Sequence, residues 1–203
     1  MTENNPQKFR ITSGFPENQR REAAGLFWQA FSEKLDKVLG PETKAVSLIE
    51  RLLDPGYAIS AMAQDGKLLG LAGYKTSEGA LVAGSLRDIA SVYGVIGGLW
   101  RGVLLDLLER DPEPEVLLMD GIFVSADARG QGIGAGLLDA ICQKAKGDGF
   151  ARVRLDVIDT NPRARGLYER CGFEPVETAD IGLLKALFGF SSATRMEKVV
   201  SPA

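Results

Sequence analysis

One stretch of the chain constrains its fold more than any other. Residues 116–124, Val-Leu-Leu-Met-Asp-Gly-Ile-Phe-Val, form a nearly continuous apolar run, the pattern of a strand covered on both faces. The run empties into Ser125-Ala-Asp-Ala-Arg129-Gly130-Gln131-Gly132-Ile133-Gly134-Ala135, and a helix follows over 132–146. On that helix Ile133, Leu137, Leu138, Ile141 and Cys142 recur at helical spacing and share one face. An alternating strand over 152–158 comes next, so this half of the chain reads β-α-β. Such an order leads to an α/β domain, not to a bundle or a β-sandwich.

The remainder fits around that unit. Residues 1–7 read as a loose tail and Lys8–Phe15 as a first strand. A long amphipathic helix is expected from Gln19 to Leu39, with Leu26, Phe27, Ala30, Phe31, Leu35, Val38 and Leu39 on its apolar side. Gly40-Pro41 stops it and restarts a second helix over 42–53, which Asp54-Pro55-Gly56 ends. Tyr57–Ala63 and Leu68–Tyr74 are strand-like and are joined through an Asp65-Gly66 hairpin signal. Ser85–Arg110 reads as helical, as two helices broken near Gly97-Gly98, and Asp111-Pro-Glu-Pro closes it. Asn161-Pro162 opens a short helix that ends at Cys171-Gly172, and two last strands are expected near 173–178 and 194–200. At 203 residues the chain suits one domain over 8–203, with no internal repeat.

Composition removes whole classes of chemistry. There is no histidine, so no histidine-based triad, metal ligand or proton shuttle can be assembled. Two cysteines, Cys142 and Cys171, are too few for a cysteine zinc site or a disulfide framework, and the expectation is no metal and a reducing, cytoplasmic setting. The N-terminal residues lack the apolar core of a secretory signal, and the most apolar stretch, 91–108, is broken by Arg101 and Asp106. With 24 basic and 27 acidic residues the net charge is −3, which gives no electrostatic footprint for nucleic acid or an anionic membrane.

The glycine turn is the first place where chemistry can sit. The first amides of a helix lack internal partners, and the macrodipole adds partial positive charge there. Glycines let a phosphate come close, so a pyrophosphate is the expected guest, with Arg129 beside it. Two other readings stand next to this one. The glycines could serve close packing alone. Gly130-Gln-Gly132-Ile-Gly134-Ala135 also satisfies the dinucleotide fingerprint, but Ser125–Ala128 intervene between strand and glycines, and the motif lies past mid-chain.

The second constellation is Asn161-Pro-Arg-Ala164-Arg-Gly-Leu167-Tyr168-Glu-Arg-Cys171-Gly172-Phe173. Together with Arg129-x-x-Gly132-x-Gly134, it resembles the GNAT superfamily of N-acetyltransferases, whose pattern is R/Q-x-x-G-x-G/A and then N-x-x-A-x-x-L-Y-x-x-x-G-F. The matching core spans 116–175. The resemblance implies a single-domain GNAT-like acyl-CoA N-acyltransferase fold, a central mixed twisted sheet with helices on both faces. It implies acetyl transfer from acetyl-CoA, a co-substrate, to a primary amine by direct attack in a ternary complex. Two central parallel strands would splay apart, with the pantetheine arm between them near Ile122 and Val124. The pyrophosphate would rest on the amides of Arg129, Gly130, Gln131, Gly132, Ile133, Gly134 and Ala135. Asn161 would touch the pantetheine arm and Tyr168 would protonate the departing thiolate.

Elementary chemistry is compatible with that assignment. A thiolate leaving group of pKa about 8.5 needs only a weak acid, and a phenol near 10 serves. Asn161 before Pro162 is equally a helix N-cap, and Tyr168 equally a core aromatic. Two carboxylates are candidate bases. Asp120 interrupts the apolar run on the face of Ile122 and Val124, where burial would raise its pKa. Asp156 on the next strand resembles a glutamate base of the branch acting on protein N-termini. The alternatives are a salt bridge to Arg154 for Asp156 and a buried, hydrogen-bonded carboxylate for Asp120. Ser85–Arg110, with Tyr93 and Trp100, and the apolar Ile181–Phe190 either wall the acceptor pocket or are core and surface loop; exposed apolar surface in either place would suggest a homodimer. The acceptor is a small-molecule or peptide amine, which the net negative charge mildly favours. A non-catalytic acyl-CoA-binding sensor or assembly module of the same fold is the alternative function.

Overall fold

The computed structural model describes residues 9–106, 111–182 and 185–200. The expected tail over 1–7, the end of the Ser85–Arg110 segment and the side chain of Trp100 lie outside the described residues. Fourteen elements follow in order: β1 (Phe9–Ser13), α1 (Arg20–Leu39), α2 (Glu42–Leu52), β2 (Ala58–Ala63), β3 (Leu68–Lys75), α3 (Leu86–Tyr93), α4 (Val95–Asp106), β4 (Val116–Val124), α5 (Ile133–Gly147), β5 (Arg152–Ile158), α6 (Pro162–Arg170), β6 (Glu174–Asp180), α7 (Lys185–Phe188) and β7 (Ser192–Val199).

All seven strands join one sheet in the order β1-β2-β3-β4-β5-β7-β6. Every neighbouring pair is antiparallel except β4 with β5. A doubly wound dinucleotide fold needs a mostly parallel sheet, so that reading of the glycine turn ends here. Strand alternation sends side chains to two cores. On one face Trp28 of α1 and Leu48 and Ile49 of α2 pack with Leu71 and Phe123. On the other, Leu137, Leu138 and Ile141 of α5 pack with Leu117, Val153 and Leu155, all at most 1% exposed. Burying side chains of this size contributes roughly 1.5–3 kcal/mol each, so α5 is held by its apolar face.

Two expectations are corrected. The helical region after β3 breaks at Gly94 (φ 75°), not at Gly97-Gly98. Those two glycines lie inside α4, where a Cβ on Gly98 would come within 2.6 Å of the Ala90 Cα; the absence of a side chain lets α4 fold back on α3. Leu86, Val95, Ile96 and Leu99 of this pair remain 52–85% exposed.

The strand β4 is also not the uniformly covered run its composition predicts. Its first four residues are buried, and Asp120 is exposed. Gly73 pairs with Gly121 but Tyr74 pairs with Met119, so Asp120 is the extra residue of a β-bulge. The alternation slips there. Met119 before the bulge and Ile122 after it both belong to the α5 side, although they stand three positions apart. Asp120 therefore does not share a face with Ile122 and Val124, as strict alternation predicts.

Candidate active site

The bulge sits where the sheet opens. Strands β4 and β5 pair over only three positions, ending at Leu118 with Arg154. Beyond that point Met119 and Gly121–Val124 stay paired with β3 and Leu155–Ile158 with β7, but not with each other. A bulge bends its strand and sharpens its twist, which accounts for β4 turning away from β5 at this residue. The gap leaves two facing strand edges able to pair with an extended ligand.

At the mouth of the gap lies the glycine turn. Gly130 and Gly132 have φ of 80° and 82°, and a Cβ on either would meet nothing within 4 Å. They are thus glycines for backbone conformation and open approach, not for packing. Gly134 differs: a Cβ there would lie 3.0 Å from Leu167 Cδ2 of α6 and 4.0 Å from Ile122 Cδ1. Packing explains that one, and it joins α6 to the first turn of α5. Helix α5 has Gly132 as N-cap without a side-chain cap. Among the described residues none of the six amides from Gly130 to Ala135 finds a protein acceptor; the next, Gly136, donates to Gly132 O at 3.0 Å. Six unpartnered N–H groups at a helix N-terminus form an anion cradle.

The side chains around the cradle divide their work. Ile133 is buried and anchors the turn in the core. Arg129 and Gln131 are exposed; Arg129 Nε donates to Val124 O (3.2 Å) and Gln131 Nε2 to Asp127 O (3.3 Å). Ile122 and Val124 are half-buried beside the gap. A pyrophosphate on the amides, with Arg129 at its side, fits these residues.

On α6, Asn161 Oδ1 accepts from Ala164 N at 3.1 Å and Pro162 follows, so Asn161 is the N-cap. Its amide nitrogen makes no hydrogen bond to the described residues. Tyr168 is 6% exposed, packs 6.2 Å from Phe173 between ring centroids, and has its phenol pushed up to about 12 by burial. The hydroxyl keeps its proton at every ordinary pH. It can donate and cannot serve as a base.

The two carboxylates stand in different settings. Asp120 is exposed, so the burial invoked to raise its pKa is not there. Asp156 Oδ2 lies 3.5 Å from Arg154 Nε, the salt bridge weighed as its alternative role. That pair extends further. Arg154 also meets Glu113 at 2.5 Å, and Arg195 makes two 2.8 Å bonds to Glu113 and one of 2.6 Å to Glu197. The Arg195 guanidinium holds the Glu113 carboxyl below its usual range.

Composition alone did not single out three aromatic rings on the other side of β4. Phe27 and Phe31, one turn apart on α1, stand 5.2 and 5.5 Å from Phe123 and 4.8 Å from each other. The signal available was the glycine inside a strand pattern, which marks a bulge or a close approach. A Cβ on Gly121 would lie 3.0 Å from Phe31 and 2.9 Å from Phe123. A surface cleft of about 720 Å³, lined by Arg20, Glu50, Leu53 and Asp54 among others, includes none of the residues above.

A splayed parallel pair, a glycine cradle and a capped helix with a buried tyrosine together define a recognisable arrangement. The model of the Acetyltransferase (GNAT) family matches residues 22–173. The chain belongs to this family. Over 64 residues it is 33% identical to thialysine N-epsilon-acetyltransferase of Bos taurus, a stretch covering 32% of this chain and 38% of that protein. Among solved structures, a GCN5-related N-acetyltransferase from Kribbella flavida superposes with a TM-score of 0.65 at 18% identity, covering 96% of this chain and 99% of that one. The ribosomal-protein-S18-alanine N-acetyltransferase of Escherichia coli gives 0.56 at 16% identity, with 96% of each chain covered. At these identities the structures share the GNAT fold, and residue roles must be argued from this chain.

Proposed function

We propose that this GNAT protein transfers the acetyl group of acetyl-CoA to a primary amine by direct attack in a ternary complex. One observation carries the reading: six unpartnered amides, from Gly130 to Ala135, at the mouth of an unpaired gap between two parallel strands. A pyrophosphate on that cradle leaves an extended arm to pair along the gap, beside Ile122, Val124 and Asn161. The acceptor nitrogen attacks the thioester carbonyl, and the carbon–sulfur bond breaks. Tyr168 gives its proton to the leaving thiolate and regains one from solvent. The proton released by the amine goes to Asp120, which stands at the bulge that opens the gap, directly or through water. What the Bos taurus relative is named for, acetylation of a side-chain amine, belongs to the same reaction class.

A thermal-shift titration with acetyl-CoA, CoA and NADH tests the ligand. At about 100 times its Kd a ligand adds roughly 2.7 kcal/mol of stability. Both CoA forms should stabilise the protein and NADH should not. Release of free CoA thiol on adding amines then separates a transferase from a silent acyl-CoA-binding module. No response to either CoA form would overturn the reading.

A further inference from the structure

We infer that the acceptor is a primary amine carried on an apolar body, aromatic or aliphatic, seated against Phe27 and Phe31 of α1. This rests on the acetyl-transfer reading and specifies its acceptor. The anion cradle is built from α5, which covers one face of the sheet. The rim of the gap on the opposite face is a different surface. There the rings of Phe31 and Phe123 lie directly over the backbone of Gly121, in the bulge that opens the gap. Phe123 is 2% exposed and forms the floor, whereas Phe27 and Phe31 are only partly buried. Ile158, the last residue of β5, and Ile181, at the start of the connection to β7, are partly buried against the core on this same side of the sheet. That connection is fixed at its far end, where Ser191 N donates to both Asp159 carboxylate oxygens at 3.2 Å.

An acceptor reaching the gap from this face thus meets the aromatic rings of α1 and β4. Half-buried rings gain by covering apolar atoms. A second ammonium or a row of hydroxyls would lose hydration against these rings.

The experiment compares matched amines by steady-state CoA-thiol release: n-pentylamine and 2-phenylethylamine against 1,5-diaminopentane and spermidine. The expected kcat/KM for the first two is higher by on the order of tenfold or more, the range a hydrophobic pocket supplies. Phe31→Ala should lower kcat/KM for the apolar amines by about tenfold while the KM for acetyl-CoA and its thermal shift stay unchanged. Phe31→Leu, which keeps apolar bulk, should retain most of the rate and guards against a folding defect in the alanine variant. Preference for the diamine or spermidine would overturn the inference and leave the transferase standing. So would stabilisation by acetyl-CoA with no turnover of either apolar amine, or unchanged kcat/KM in folded Phe31→Ala. Loss of the acetyl-CoA shift in the parent protein would instead remove the transferase reading, and this one with it.

Discussion

Tyr168 shows how one buried side chain links stability to chemistry. Its phenol is lifted from the ordinary 10 to about 12 by burial alone. A raised pKa means that the folded state favours the protonated form. The stability this contributes is fully present below pH 10 and is lost as pH rises towards 12. At about 1.4 kcal/mol per pH unit, roughly 3 kcal/mol disappears across that window. Wild-type melting temperature should therefore fall more steeply between pH 9.5 and 11.5 than that of Tyr168→Phe. The same variant should lower turnover by about 10²–10³ at pH 8 with acetyl-CoA affinity kept. Parallel alkaline slopes would mean that the phenol is not sequestered, and unchanged turnover would remove it from the mechanism. The carboxylates make the complementary case. Asp120→Asn should slow turnover by about tenfold to a hundredfold with acetyl-CoA affinity kept. Asp156→Asn should lower the melting temperature, because it strips a partner from Arg154, with turnover within a few-fold. The reverse pattern would place the base on β5. Both side chains were visible in the sequence, but which one stands exposed was not, because a bulge reverses faces without changing a single residue type.

At the scale of elements, the glycine turn and α6 behave as one unit. Gly132 and Gly134 are equivalent in a motif and unlike in space: the first faces open approach at φ 82°, the second touches Leu167. Gly132→Val should weaken acetyl-CoA binding strongly and cost on the order of 1–3 kcal/mol in backbone strain. Gly134→Ala should change affinity little, since only the flexible end of Leu167 must yield. Isothermal titration of both variants checks this, and equal losses would mean that the cradle is not where the phosphates lie. Elements with a strong period or a marked cap were legible from sequence: α1, α5, the Asp-Gly hairpin and the Asn161-Pro162 start all fall where periodicity and capping chemistry put them. The break between α3 and α4 was not, because Gly94, Gly97 and Gly98 look alike in sequence, and only in the fold does Gly94 take φ 75° while Gly98 packs against Ala90 inside α4.

For the whole molecule, the order of strands is what the sequence left open. Local patterns cannot say that β7 inserts between β5 and β6, or that β4 and β5 pair over three positions only. That short ladder has a consequence for the backbone itself. A seven-stranded sheet ordinarily has two outer edges; this one also has two inner ones, where amides of Met119–Val124 and Leu155–Ile158 on the gap side lack a neighbour. Such amides should trade hydrogen for deuterium with solvent quickly, although they lie in the middle of the sheet. Acetyl-CoA should slow that exchange from Met119 onward while Val116–Leu118 stay slow throughout. Bare inner amides that remain equally fast with ligand present would show that nothing pairs in the gap. The protein thus carries its own graduated scale, on which the length of a bound arm can be read residue by residue as a protection footprint.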